Sequence, residues 1–205
     1  MTRSGAGTAG TKGVPRADRE EQILAAATEV FGSQGFAAAS VVDVASRAGI
    51  SKPMVYHYFG SKEGLLDACL HRAGGLLLGE IERVAGSGLV GLERGLATLE
   101  AIFEVLEDRP WVWRLLFDPT VPRAVDGVAA ALADYTERIT VLAHEGVAEM
   151  MAVAGNTDAA DISAMTAVWV GLVDSLVAWW LDHPGESAAQ MTERCVRLMG
   201  VAFAQ

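Results

Sequence analysis

From Asp18 onward, apolar residues return at intervals of three and four, the repeat of a helix face. Ile23, Ala27, Val30 and Phe31 share the first such stripe, which Gly35 stops. Ser40 then stands at a capping position before VVDVASRA, whose Val41, Val44, Ala45 and Ala48 fall on one side. Gly49 supplies the left-handed stop. Ser51 is the next cap position, and Pro53 lies in a first turn, where a missing N–H costs nothing. Gly60 ends that helix after Phe59, and Ser61 opens another. Three short helices, the second and third joined by a tight glycine turn, predict a helix-turn-helix.

Downstream the pattern stays helical. Helices are predicted over Leu65–Val84, with Gly74-Gly75 as a weak point, and over Leu89–Leu106. A short aromatic one, WVWRLLF, follows Pro110 and ends at Asp118-Pro119. Further helices are expected over Arg123–Val153, Ala160–Leu181 and Ala188–Ala204. No strand pattern and no long repeat is visible. The expected class is all-α, with a three-helix helix-turn-helix domain at 18–66 and a larger helical domain at 67–205. Residues 1–17, rich in Gly, Thr and Ala, with Arg3, Lys12 and Arg16 but no acid, read as a disordered basic arm.

Charge sharpens the division. The chain of 205 residues has a net charge of −10, yet its first 72 residues hold eight basic and seven acidic groups, and all three lysines fall by residue 62. A neutral-to-basic end on an acidic protein suits a polyanion. Cys69 and Cys195 have neither metal-ligand nor redox spacing. A reduced cytoplasmic protein without metal or cofactor is the expectation. No apolar leader follows the N-terminal charges, and the most apolar window, AMTAVWVGLVDSLVAWWL, is broken by Asp174 and Ser175, so no membrane partner is expected. Enzyme patterns fail in turn. GSGLVG at 86–91 satisfies GxGxxG without a preceding strand. His144-Glu145 begins HExxH, but Ala148 takes the second histidine's place.

The short helix Ser51–Phe59 concentrates the remaining chemistry. Val55, Tyr58 and Phe59 fall at i, i+3, i+4 and can pack inward, which leaves Lys52, Pro53, Met54, Tyr56 and His57 on other faces. An N-terminal turn with free N–H groups, a tyrosine hydroxyl and lysines suits phosphate and base edges. An all-α interaction module without sequence-specific DNA binding is the alternative.

The run EQILAAATEVFGSQGFAAASVVDVASRAGISKPMVYHYFGSKEGLL resembles the DNA-binding domain of the tetracycline-repressor (TetR) family of bacterial regulators. The shared features are AxxxFxxxGF, a hydroxyl at Ser40, DVAxxAGIS, the aromatic run to Phe59, and SKExLL. The resemblance implies a dimeric repressor of double-stranded DNA that a small effector controls. Ser40, Ser51, Tyr56 and Lys62 would contact phosphate, and Lys52, Met54 and His57 would read bases. Pro53 and Met54 depart from the usual small and polar residues, which points to apolar and shape readout. The arm would enter the adjacent minor groove.

The C-terminal half resembles the family only in its last two helices, through which such regulators dimerise. Ile162, Met165, Trp169, Leu172, Val173, Leu176 and Trp180 form one stripe, and Met191, Cys195, Leu198 and Ala202 another. Pairing with a second copy would give a four-helix interface. An effector pocket is expected among Phe103, Trp111, Trp113, Phe117, Met150, Met151 and Trp169, soft and aromatic groups that suit an apolar ligand. His144, Glu145, Glu100 and Glu104 would be its polar handles.

Overall fold

The computed structural model describes residues 14–117, 119–123 and 125–203. Arg3, Lys12 and most of the 1–17 arm lie outside the described residues, as does the side chain of Ala202. Among those described, the chain forms helices and no strands: α1 (Arg16–Gln34), α2 (Val41–Arg47), α3 (Lys52–Phe59), α4 (Lys62–Ala85), α5 (Gly91–Glu107), α6 (Trp111–Phe117), α7 (Asp126–Val153), α8 (Ala159–Leu181) and α9 (Ala188–Phe203).

Helix α1 starts two residues before the expected Asp18. Pro15 holds the N-cap position, and its carbonyl accepts from the Arg19 amide at 3.1 Å. Arg16 therefore belongs to the helix rather than to an arm. It pairs with Glu20 at 3.0 Å, and its guanidinium lies 5.3 Å over the Tyr58 ring. Ile23, Ala27, Phe31, Val44, Val55, Leu65 and Leu66 close the first core, each at most 1% exposed. Burying a side chain of this size stabilises by roughly 1.5–3 kcal/mol.

Helix α4 runs unbroken through 24 residues, about 36 Å at ~1.5 Å per residue, and crosses the expected boundary at 66/67. Its start packs on α1, and its length packs on α5, α6 and α7. The expected weak point at Gly74-Gly75 is instead a seat. A Cβ on Gly74 would stand 2.4 Å from the Tyr135 ring, whose hydroxyl donates to the His71 carbonyl at 3.2 Å. Gly32 has the same role in α1, where a Cβ would come within 2.3 Å of the Trp111 Cβ. These two close approaches let backbone meet side chain where a larger residue would hold the helices apart.

In the larger part, α5 packs on α9 and α7 on α8. Phe103 meets Trp180 edge to face at 5.2 Å. The Trp180 indole donates to the Glu186 carbonyl at 2.8 Å, and the Glu107 carboxylate accepts from the first amide of α9 at 2.9 Å.

Helix α8 departs from expectation. The stripe assigned to dimer contact faces inward: Val173 and Trp180 are buried, and Ile162, Met165, Trp169, Leu172 and Leu176 are half-buried. On α9, Met191 and Cys195 are wholly buried, while Leu198 is exposed. Periodicity could not choose between two apolar sides of one helix; packing chose the bulkier side for the core. The outer side of α8 is left with Ala164, Ala167, Val168, Gly171, Ser175 and Ala178, all exposed. This helix is long and apolar enough to cross a membrane, and only 17% of its most apolar window is buried.

Candidate functional site

The α2–α3 unit is held by local bonds that the sequence specifies. Ser40 Oγ accepts from the Asp43 amide at 3.1 Å and donates to the Asp43 carboxylate at 2.7 Å, capping α2. Gly49, at φ 64°, makes the turn, and Gln22 of α1 donates to the Ala48 carbonyl at 2.7 Å. Past α3, Gly60 turns the chain at φ 75°, and Ser61 Oγ caps α4 by accepting from Gly64 at 2.9 Å. A Cβ on Gly64 would lie 2.4 Å from the Phe59 carbonyl oxygen, so α3 and α4 abut closely at this corner.

Within α3, Val55 is 1% exposed and Tyr58 and Phe59 pack half-buried on the core. Ser51, Lys52, Pro53, Tyr56 and His57 are exposed, and Met54 is half-buried. Ser51 makes no side-chain cap bond to its own helix. The Lys52 ammonium stands 5.7 Å from the Tyr56 ring centre, and the His57 ring meets Tyr58 edge-on at 5.6 Å. Lys62 is set back from this group. It donates to the Phe36 carbonyl at 2.6 Å and lies 4.2 Å over the Phe36 ring, with further ammonium N–H groups beyond that bond. The exposed group thus offers a cation, a phenol, an imidazole and a free hydroxyl on one convex two-turn helix. Those groups match phosphate oxygens and the edges of base pairs.

A cavity of about 410 Å³ opens between α4, α5, α6, α7 and α8. Trp113, Phe117, Met150 and Trp169 line it, together with Leu77 and Ile81 of α4. Phe103, Trp111 and Met151 lie outside it. Phe103 is spent on Trp180 in the core, Trp111 is wedged against Gly32, and Met151 is half-buried elsewhere on α7. The proposed polar handles Glu100, Glu104, His144 and Glu145 are exposed and do not line it. Arg94, Thr98 and Asp174 do line it, and Arg94, only 8% exposed, donates to Glu149 at 2.8 Å. The signal of Arg94 in the sequence is a charge at i, i+4, i+8 with Thr98 and Ile102, on what is otherwise an apolar face.

No cluster of three or more metal-type side chains occurs among the described residues. The GSGLVG segment joins α4 to α5, helix to helix. Cys69 and Cys195 are fully buried, and burial pushes both thiols above their ordinary range. Neither is poised as a nucleophile.

The architecture defines a class: a helix-turn-helix domain fused through one long helix to a larger helical domain with an internal cavity. Residues 23–69 match the family model "Bacterial regulatory proteins, tetR family". The chain is similar to that family over this segment, and the relatives it matches are named as transcriptional regulators. It is 33% identical to the HTH-type transcriptional activator FasR of Mycolicibacterium smegmatis over 62% of this chain and 59% of that one. To the transcriptional repressor KstR2 of the same species it is 31% identical over 45% of each. The chain thus spans about half the length of the curated relatives it matches. In fold it is similar to the ketosteroid transcriptional regulator KstR2 of Mycobacterium tuberculosis, with a TM-score of 0.73 and 23% identity over 91% of this chain and 94% of that one. FadR of Bacillus subtilis, solved with stearoyl-CoA, has a TM-score of 0.69 at 16% identity over 87% and 96%.

Proposed function

We propose that the protein is a dimeric regulator of transcription that sets α3 in the major groove of a near-palindromic operator and loosens its hold when a largely apolar small molecule fills the cavity. The observation behind this reading is the span of α4. Its first turn abuts α3 at Gly64, while Leu77 and Ile81 further along form part of the cavity wall. A ligand that displaces the middle of α4 moves its first turn, and with it the recognition helix. Relatives are named both activator and repressor; the proposed direction here is repression relieved by ligand.

In this reading Lys52, Pro53, Met54 and His57 face base edges, and Tyr56 and Ser51 contact phosphate. Ser40 and Lys62 reach phosphate from the flanks, turning from their bonds to Asp43 and Phe36. The dimer surface is assigned to the exposed sides of α8 and α9, with Val168, Trp179, Val196 and Leu198 among small residues. Small side chains let two helix backbones approach closely. Asp174, exposed midway along α8, sets a second copy above lipid as the occupant, because a carboxylate in mid-bilayer costs several kcal/mol.

Tyr56→Ala tests the groove assignment. It removes an exposed side chain, so thermal stability should stay within about 0.5 kcal/mol of the parent. Affinity for the DNA upstream of the protein's own coding sequence should fall at least tenfold. Unchanged affinity would exclude α3 as the reading helix.

A further inference from the structure

The cavity reading leaves the effector's chemistry open, and Arg94 narrows it. We infer that the cavity takes an elongated apolar monocarboxylate whose head lies on Arg94; this rests on the cavity being a ligand site. The Arg94 side chain is 9% exposed, whereas its partner Glu149 is 45% exposed. The cation is thus set in an apolar wall, and its counter-charge stands at the rim, half in water. A buried charge matched so unevenly is under-compensated, and a second anion inside the cavity completes it.

The guanidinium has donors to spare. Of its five N–H groups, one meets Glu149 at 2.8 Å and another points to the Leu142 carbonyl at 3.4 Å. Both come from the terminal nitrogens, and among the described residues Nε has no acceptor. Gly146 flanks that edge: a Cβ there would stand 3.5 Å from Nε and 3.6 Å from Cζ. Glycine keeps the edge uncovered toward the cavity that both residues line. An Nε–Nη edge is the geometry that accepts a carboxylate through two parallel bonds.

The rest of the lining sets the other half of the ligand. Leu77, Ile81, Trp113, Trp169 and Val147 offer mainly apolar surface, and the volume falls within the roughly 300–1,000 Å³ usual for small-molecule sites. Two acids bound the charge of the head. Glu149 stands beside Arg94, and the exposed Asp174 borders the cavity from the rim formed by α8. A polyanionic head would meet both, so a single negative charge fits best.

The test uses the full chain with dodecanoate and dodecanol, which share a hydrocarbon tail and differ in the charged head. Quenching of Trp113 and Trp169 fluorescence reports binding. The parent protein should prefer dodecanoate by roughly tenfold or more, the factor expected of a charge-assisted pair. Arg94→Gln should remove that preference while dodecanol still binds. Glu149→Gln, which frees Arg94 of its rival carboxylate, should widen it. Equal binding of the two ligands by the parent, or a preference that survives in Arg94→Gln, would overturn the inference and leave the ligand site standing. Failure of both ligands to bind the parent would remove the ligand site itself, and the inference with it.

Discussion

Single residues decide how closely this chain packs, and glycine does so where an inventory of apolar positions is silent. Gly74 looks like a helix weakness in the sequence, yet it and Gly32 each receive an aromatic residue from a helix far along the chain. Nothing local announces such a seat; it exists only once Trp111 and Tyr135 arrive. Burial, not spacing, sets the behaviour of the two cysteines. Their thiols titrate above the ordinary value of 9.0 in the folded chain and near that value when unfolded. Above about pH 9 the unfolded state binds fewer protons than the folded one, so stability falls as pH rises; below it the thiols add no pH dependence. Urea midpoints across this range should drop with pH, and Cys69→Ala should drop less. An identical fall in that variant would assign the loss to other groups.

At the scale of elements, the helix-turn-helix was readable almost residue for residue because its signals are local: Ser40 and Ser61 cap, Gly49 and Gly60 turn, and Val55 faces in. The C-terminal helices were legible as helices but not in their facing. Helix α8 carries apolar residues on more than one side, so its stripe of Trp and Met marked a core face as readily as an interface. Four of seven expected cavity residues line the cavity, while Arg94 escaped notice because charge on a helix is ordinarily solvated. The corner between α3 and α4 is where the elements are most tightly coupled. Gly64→Ala places a methyl against the Phe59 carbonyl, where backbone cannot yield cheaply. Overpacking of this kind costs about 1–3 kcal/mol, and operator affinity should fall with it. A variant of normal stability and affinity would show that the corner is soft and α4 a poor lever.

For the whole molecule, the central claim is that two copies of α3 read one duplex together. A pair of recognition helices about 34–36 Å apart meets successive major-groove faces, and the outer side of α8 is the surface proposed to fix that spacing. Such binding neutralises phosphates and so weakens linearly in log–log terms as salt rises. The decisive measurement is a fluorescence-anisotropy titration, at several salt concentrations, of labelled duplex from upstream of the protein's own coding sequence, with a shuffled duplex of equal length as control. The account predicts saturation at two chains per duplex, a steep negative salt slope, and binding to the native sequence at least about a thousandfold tighter than to the shuffled one. Saturation by single chains, or no distinction between the two duplexes at any salt concentration, would contradict it.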